Sequence, residues 1–473
     1  MIEPNVGVGA FLKAATAQWG SGPKYAGYEI NQDYAVAARN ELSGTGAQIH
    51  CRNFFTEDWK ANLNLAGKTK VLVLGNPPWV TNSDLGMLGS DNLPIKSNFQ
   101  GLRGYDALTG KANFDIAEWM LIRLIEALPA EGSLAMLCKT MTARKVLRHF
   151  WKTDGGRENA RLFHIDAKAW FGVAVDACLF HVGGRITSDR TATVYDELDL
   201  KSESSKFGYM DGEMVSDIDA YQKWRNLDGG SFAYTWRSGV KHDASQVMEF
   251  TREGELFRNG TGELVDMEET HLYPLLKSSD LGNNRSHSRK FVLVTQIGTG
   301  TDTSLIAKTA PKTWRYLLAN AVALDSRKSS IYAKRPRFSV FGIGPYSFAP
   351  WKIAISGLYK SMKFVLVPPI EGRPVMVDDT CYLIPCYSEV EAKLLLEILS
   401  SKPVTGFLNS LVFTDSKRPV TVDVLKRLSL MEAARVLGKK KQLEAVMCGS
   451  SSVEGEAKQM SLLMDKRADY RSS

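Results

Sequence analysis

The chain is expected to be α/β: a largely parallel sheet with helices on both faces, followed by a second region of mixed α+β character. Three observations predict this. Short apolar runs of strand length alternate with stretches of helical periodicity through the first half. Residues that carry chemistry fall at the carboxyl ends of those runs, where parallel sheets bind ligands. Past about residue 200 the alternation gives way to scattered β-like runs separated by turn residues.

The elements follow in order. Glu3-Pro4-Asn5-Val6-Gly7-Val8-Gly9-Ala10-Phe11-Leu12 is a Gly-x-Gly turn leading into a helix from Phe11 to Trp19. Glycines there let the backbone pass close to a ligand. A dinucleotide fingerprint would place a third glycine where Leu12 stands, so nicotinamide or flavin binding is disfavoured. Tyr25–Ile30 reads as the next strand, with Glu29 at its tip positioned to accept from ribose hydroxyls. A helix follows, with apolar residues at Tyr34, Ala35, Ala38 and Leu42. Ile49–Phe55 reads as a third strand and turn carrying Asn53, an acceptor for an adenine edge, and Phe54, a stacking face.

The fourth strand, Val71-Leu72-Val73-Leu74, ends at Gly75 and opens into Asn76-Pro77-Pro78-Trp79. Two prolines fix φ and remove two backbone donors, which leaves nearby carbonyls free to accept. Asn76 adds a side-chain acceptor and Trp79 a stacking face. The combination suits a planar, amino-bearing substrate. Further on, Ile116–Leu128 has helical spacing, Leu134–Cys138 reads as a strand and Thr142–Trp151 as a helix. Ala169-Trp170-Phe171-Gly172 reads as a strand and turn, and Ala177–Val182 as a strand. Gly183-Gly184 and the Ser-rich stretch from Lys201 to Lys206 suggest that the first domain closes there. This divides the chain into residues 1–200, 201–437 and a polar tail, 438–473, read as a frayed helix.

The second region offers β-like runs at Phe291–Ile297, Lys352–Ile355 and Lys363–Val367, and an amphipathic helix at Glu389–Leu399. Phe338–Pro350, rich in Gly, Pro, Ser and aromatics, reads as a surface loop able to contact base edges. From Arg285 to Arg337 basic residues, including Lys334, Arg335 and Arg337, outnumber the acids Asp302 and Asp325 and interleave with Trp314, Tyr316 and Tyr332. That pattern suits a phosphate backbone. A solvated basic surface is the other reading.

Composition bounds the rest. The chain has 473 residues, 44% hydrophobic and 23% charged, with a net charge of +7. No apolar run spans a membrane, and no basic region precedes an apolar core at the start. Six cysteines without Cys-x-x-Cys spacing, and histidines without zinc spacing, predict no metal site and free thiols in a reducing cytoplasm.

Taken together, Glu3-Pro4…Gly7-x-Gly9-x-Phe11, Glu29, Asn53-Phe54 and Asn76-Pro77-Pro78-Trp79 resemble an S-adenosylmethionine-dependent DNA adenine-N6 methyltransferase of the gamma arrangement, the Taq/Eco57-like restriction–modification type. The resemblance continues through Asn113-Phe114-Asp115-Ile116, Gly132–Met136 and Trp170-Phe171, and loosely through Phe413–Pro419. It implies a Rossmann-like methyltransferase sheet followed by a DNA target-recognition domain. It also implies S-adenosylmethionine as methyl donor, held by Glu3, Pro4, Gly7, Gly9, Phe11, Glu29, Asn53 and Phe54. Asn76, Pro77, Pro78 and Trp79 would act on a flipped adenine of double-stranded DNA, supported by Phe171. The chain would be a monomer, with a separate cognate endonuclease acting on the same site. Two features depart from the family: only Met1 and Ile2 precede Glu3, and Asn53 stands where an acid is usual. Methylation of RNA or protein glutamine, and a truncated, inactive DNA-binding relative, are the alternatives.

Overall fold

The computed structural model describes residues 1–64, 70–79, 115–153, 155–230 and 234–448. Asn113 and Phe114 of the matched motif, and residues 449–473 of the expected tail, lie outside the described residues. The chain divides into two compact units, Met1–Ile218 and Asp219–Ser473.

The first unit is built on one large sheet. Its first five strands are β1 (Ile2–Glu3), β2 (Ala26–Glu29), β3 (Gln48–Cys51), β4 (Leu72–Gly75) and β5 (Ser133–Lys139). They lie parallel in the spatial order β3-β2-β1-β4-β5. β6 (Gly156–Arg157) pairs with β9 (Ile186–Thr187) in a small ribbon. β7 (Arg161–Ile165) and β8 (Ala177–Gly183) extend the main sheet, with β8 antiparallel to both β5 and β7. The sheet then continues through β10 (Thr191–Tyr195), β11 (Glu203–Met210) and β12 (Glu213–Val215). The expected sheet with its helices is therefore present. Its order reverses between β1 and β4, because the chain leaves β1 toward β2 and returns to the other side. That switch point is where open α/β sheets take their ligands.

Local chemistry explains the helices that frame it. Ala10–Trp19 starts at Gly9, whose φ of 94° is left-handed and natural only to glycine. Gln32–Glu41 is capped by Asn31, whose side chain accepts from the Asp33 and Tyr34 amides. Ile116–Ala127 is capped by Asp115, which accepts from the Ala117 amide. Val6, Leu12, Ala15, Ala35, Ala38, Leu42 and Ile49 form the apolar core under this end of the sheet.

Two sequence expectations for this unit need correction. Ala169–Phe171 is not a strand. It lies in a short helix, Ala167–Phe171, capped by Asp166 and stopped by Gly172 in the left-handed region. The Ser-rich stretch 201–206, the expected close of the first domain, continues the sheet: from Glu203 it is strand β11, paired along Thr191–Tyr195. Its first four residues are exposed, so no apolar alternation marks them as a strand.

The second unit is α+β. A four-stranded antiparallel sheet combines Arg237–Ser238, Cys381–Cys386, Trp351–Ser356 and Phe364–Val367. A six-stranded sheet includes Glu249–Glu253, Lys290–Leu293 and Leu272–Leu276. Glu389–Leu399 is helical as expected. Phe338–Pro350 is not a surface loop. Phe338, Val340 and Ile343 belong to the core, and Phe338 is 1% exposed. Residues 440–448 of the expected tail are helical, and Leu443 within them is buried. All six cysteines are free, with Cys51 and Cys448 exposed and the other four buried. No described helix is long and apolar enough to cross a membrane.

Candidate functional site

At the carboxyl ends of β1, β2 and β4 lies a cavity of about 360 Å³, in the range of small-molecule sites. Pro4, Asn5, Gly7, Glu29, Tyr34, Arg52, Phe54, Asn76 and Pro78 line it, together with apolar side chains. It has an acidic wall, an aromatic wall and the Asn-Pro-Pro loop at one end.

Glu29 supplies the acidic wall. The Gly7 amide donates to its Oε2 and the Asn31 amide to its Oε1, both at 2.9 Å. The carboxylate is thus aimed by two backbone groups while keeping lone pairs for a ligand. Gly7 has a φ of 52°, and a Cβ there would meet nothing within 4 Å, so its bare backbone faces open space. Phe54 supplies the aromatic wall. It is buried against Trp59, with ring centroids 4.7 Å apart, and the Trp59 indole donates to the Phe54 carbonyl at 3.0 Å.

Four expected cofactor residues lie elsewhere than in the cavity lining. A Cβ on Gly9 would meet Leu42 Cδ1 at 3.3 Å and Ala38 Cα at 3.5 Å. Gly9 therefore lets two helices pack closely. Phe11 rides on the first of those helices. The Asn53 side-chain oxygen accepts from the Phe55 amide at 2.9 Å, capping a short 3-10 turn that presents Phe54. That bond fixes the Asn53 side chain in the turn and leaves its oxygen one further lone pair.

Glu3 is buried beneath the Gly-rich turn, 2% exposed, with the Leu12 amide donating to it at 3.2 Å. Burial pushes its pKa up to about 8, the Leu12 amide opposing and the Glu29 charge adding. The unfolded chain gives up this proton near the ordinary value of 4.5, well before the folded chain does. Folding is thus penalised progressively as pH rises from about 4.5 to about 8. Glu3→Gln, which keeps an acceptor for Leu12, should flatten that decline. Urea midpoints at pH 5 and pH 8 measure it, and an equal decline in the variant would sink the assignment.

The Asn-Pro-Pro-Trp loop leaves β4 at Gly75, which packs so closely on Glu3 that a Cβ would meet Glu3 Cγ at 3.3 Å. Asn76 and Pro78 are exposed, Pro77 is buried and Trp79 is partly buried. The Trp79 ring meets Phe171 edge to face, with centroids 6.1 Å apart. Phe171 is 47% exposed, so it is not a core residue. The structure therefore brings Phe171 to the loop although the two are far apart in sequence.

Sequence reasoning missed several lining residues. Asn5 matters most: its Oδ1 is buried and has no hydrogen-bond partner among the described residues. Arg52, Phe55 and the pair Ile116 and Met120 were also missed. The last two are spaced i, i+4, one face of a helix, which was the available signal.

In the second unit Lys334, Arg335 and Arg337 are all exposed. Arg337 is paired with Asp325 at 2.6 Å. Lys334 and Arg335 make no ion pair among the described residues, and Arg335 reaches toward the Phe341 ring. Arg327 is half-buried, lies over Tyr332 at 3.7 Å and donates to the His242 and Ser339 carbonyls, so it is structural.

No family model matches the chain. It is 41% identical over 443 residues to the Type II methyltransferase M.NspV of Nostoc sp., an overlap of 92% of each protein. Among solved structures it is similar to the Type IIL restriction–modification enzyme MmeI, determined in complex with DNA, with a TM-score of 0.54 and 15% identity. That likeness concerns the fold; it covers 90% of this chain and 61% of MmeI.

Proposed function

The chain belongs to the type II restriction–modification methyltransferases, and from that premise we propose that it methylates the N6 amino group of adenine at specific sites in double-stranded DNA. The observation that carries the proposal is the placement of Asn76-Pro77-Pro78-Trp79. The loop stands at the switch point of the sheet, with Asn76 and Pro78 on the wall of the cavity.

S-adenosylmethionine is the methyl donor of this family, and when bound it supplies a methyl group already activated on a sulfonium. The cavity's residues fit it. Glu29 suits the ribose hydroxyls and Phe54 an adenine face. The orphaned Asn5 oxygen is an acceptor awaiting a donor such as the ammonium. Glu3, proton-bearing near neutral pH, supports the turn from beneath.

The amino group of adenine is a weak nucleophile because its lone pair is delocalised into the ring. The Asn76 side-chain oxygen and the Pro77 carbonyl would each accept one amino hydrogen. That pulls the nitrogen toward tetrahedral geometry and localises the lone pair. Trp79 would stack on the base, and Phe171, in edge contact with Trp79, would support it from the side. Positioning and electrostatics then provide most of the acceleration. A base inside a duplex cannot reach the loop, so it must be flipped out at a cost of about a few kcal/mol.

Residues 219–448 would read the DNA, with Lys334 and Arg335 among the phosphate contacts. The chain would act as a cytoplasmic monomer protecting sites cut by a separate endonuclease. Single-molecule sequencing of DNA from cells expressing the full chain tests the proposal. N6-methyladenine at one short sequence is expected; methyl groups on cytosine, RNA or protein instead would overturn it.

Replacing Lys334 and Arg335 by alanine should weaken binding to every sequence alike and reduce the salt slope by about two units if both meet phosphates. The methylated sequence should not change, because phosphate contacts position and base contacts specify. An unaltered slope and affinity would move the DNA surface elsewhere. Arg337, already neutralised by Asp325, should matter less.

A further inference from the structure

The loop Asn76–Trp79 has an unusual problem of its own making. Pro77 and Pro78 have no N–H, so the loop cannot be tied down through their amides. Something outside it must grip its carbonyls. Lys139, the last residue of β5, does so: its Nζ donates to the Trp79 carbonyl at 3.2 Å. The same ammonium meets Asp115 Oδ2 at 2.9 Å. Asp115 also caps the helix Ile116–Ala127 by accepting from the Ala117 amide, and Thr142 Oγ1 lies 3.4 Å from its Oδ2. Side-chain exposure is 24% for Lys139 and 9% for Asp115, so water competes weakly for the pair.

We propose that Lys139 is a positioning residue for methyl transfer, fixing the catalytic loop through the Trp79 carbonyl while Asp115 fixes the ammonium. One carboxylate thereby anchors the loop and also the helix that lends Ile116 and Met120 to the cofactor cavity. An ammonium has three donors and no acceptor, so it can hold both oxygens at once. A neutral side chain of the same length cannot. This inference rests on reading Asn76–Trp79 as the catalytic loop.

The test compares wild type, Lys139→Met, Lys139→Arg and Asn76→Ala in the full chain. Labelling with 5-fluorotryptophan gives a fluorine resonance for Trp79, assigned by its loss in Trp79→Phe. Lys139→Met should shift that resonance in the DNA-free protein and lower kcat by about 100-fold, the cost of a misplacement of about 1 Å. Calorimetric Kd for S-adenosylmethionine and KM for DNA should stay within about threefold. Lys139→Arg, which keeps charge and donors, should restore the resonance and most of kcat. Near wild-type kcat in Lys139→Met, or a lost kcat with an unmoved Trp79 resonance, overturns the inference. Normal turnover in Asn76→Ala overturns the loop reading itself, and the inference with it. Loss in Asn76→Ala with normal turnover in Lys139→Met overturns the inference alone.

Discussion

Asn76→Ala should abolish most of the methyl-transfer activity while leaving the cofactor cavity able to bind. On the proposed reading, the variant removes one of the two acceptors for the exocyclic amine. Deleting a single preorganised electrostatic partner in an active site costs about 10²–10³ in kcat, and the amine's dependence on localising its lone pair places this site at the upper end. Asn76 is exposed and makes no hydrogen bond among the described residues, so its loss should not disturb the fold. Pro77 and Pro78 keep the loop's path. The expected pattern is a collapsed single-turnover rate with unchanged melting temperature and unchanged affinity for S-adenosylmethionine. Asn76→Asp should be no better. Its carboxylate still accepts, but its charge near the methyl donor would favour ground-state binding as much as the transition state. Single-turnover rates with labelled cofactor measure the effect, and a rate for Asn76→Ala within about tenfold of wild type would remove Asn76 from the chemistry.

The sequence made strands β2 to β5 and the residues at their ends readable for a physical reason. Buried parallel strands are short apolar runs, and the residues that meet ligands sit at their ends. Glu29, Phe54 and Asn76 were found this way, and all three line the cavity. What escaped was decided by contacts distant in sequence. Gly9 looks like a ligand-facing glycine, yet its left-handed φ of 94° at the helix start already calls for glycine, and Ala38 and Leu42 of the next helix lie close beside it. Asn53 looks like a free acceptor, yet its oxygen already accepts one bond from the backbone two residues on. Each is a local polar or small residue whose use depends on where another segment passes.

The same holds in the second unit. Phe338–Pro350 has the composition of a surface loop, but it is held in the interior by distant groups. Thr295 Oγ1 donates to the Phe338 carbonyl at 2.8 Å and Gln296 Nε2 to the Val340 carbonyl at 3.3 Å. Trp314 packs on Phe338 with centroids 5.6 Å apart. Side chains satisfy its backbone where water would satisfy a loop's. Conversely, β11 is a strand whose first half faces solvent, and its serines carry no periodic signal. Composition reports exposure only on average, and both errors come from that.

Glu29→Ala should produce the largest loss of cofactor affinity of any single change in the cavity. Two effects add. The carboxylate is the group on the wall best suited to two ribose hydroxyls, and a hydrogen bond to a charged group is worth about 1.5–3 kcal/mol. Its removal also frees the Gly7 and Asn31 amides, which now lack a common anchor. The Gly-rich turn would then lose part of its preorganisation, and binding would have to restore it. Together these predict a Kd for S-adenosylmethionine raised by about 100-fold or more. Glu29→Gln, which keeps one acceptor but loses the charge, should fall between. S-adenosylhomocysteine carries the same ribose without the sulfonium charge, so its affinity should drop by the same factor. That equality separates hydrogen bonding to the ribose from long-range attraction for the cation: if only the cationic ligand weakened, Glu29 would be acting as a distant counter-charge. Calorimetry with both ligands decides. A Kd within about twofold of wild type for both, in a folded Glu29→Ala protein, would mean that the ribose lies elsewhere in the cavity.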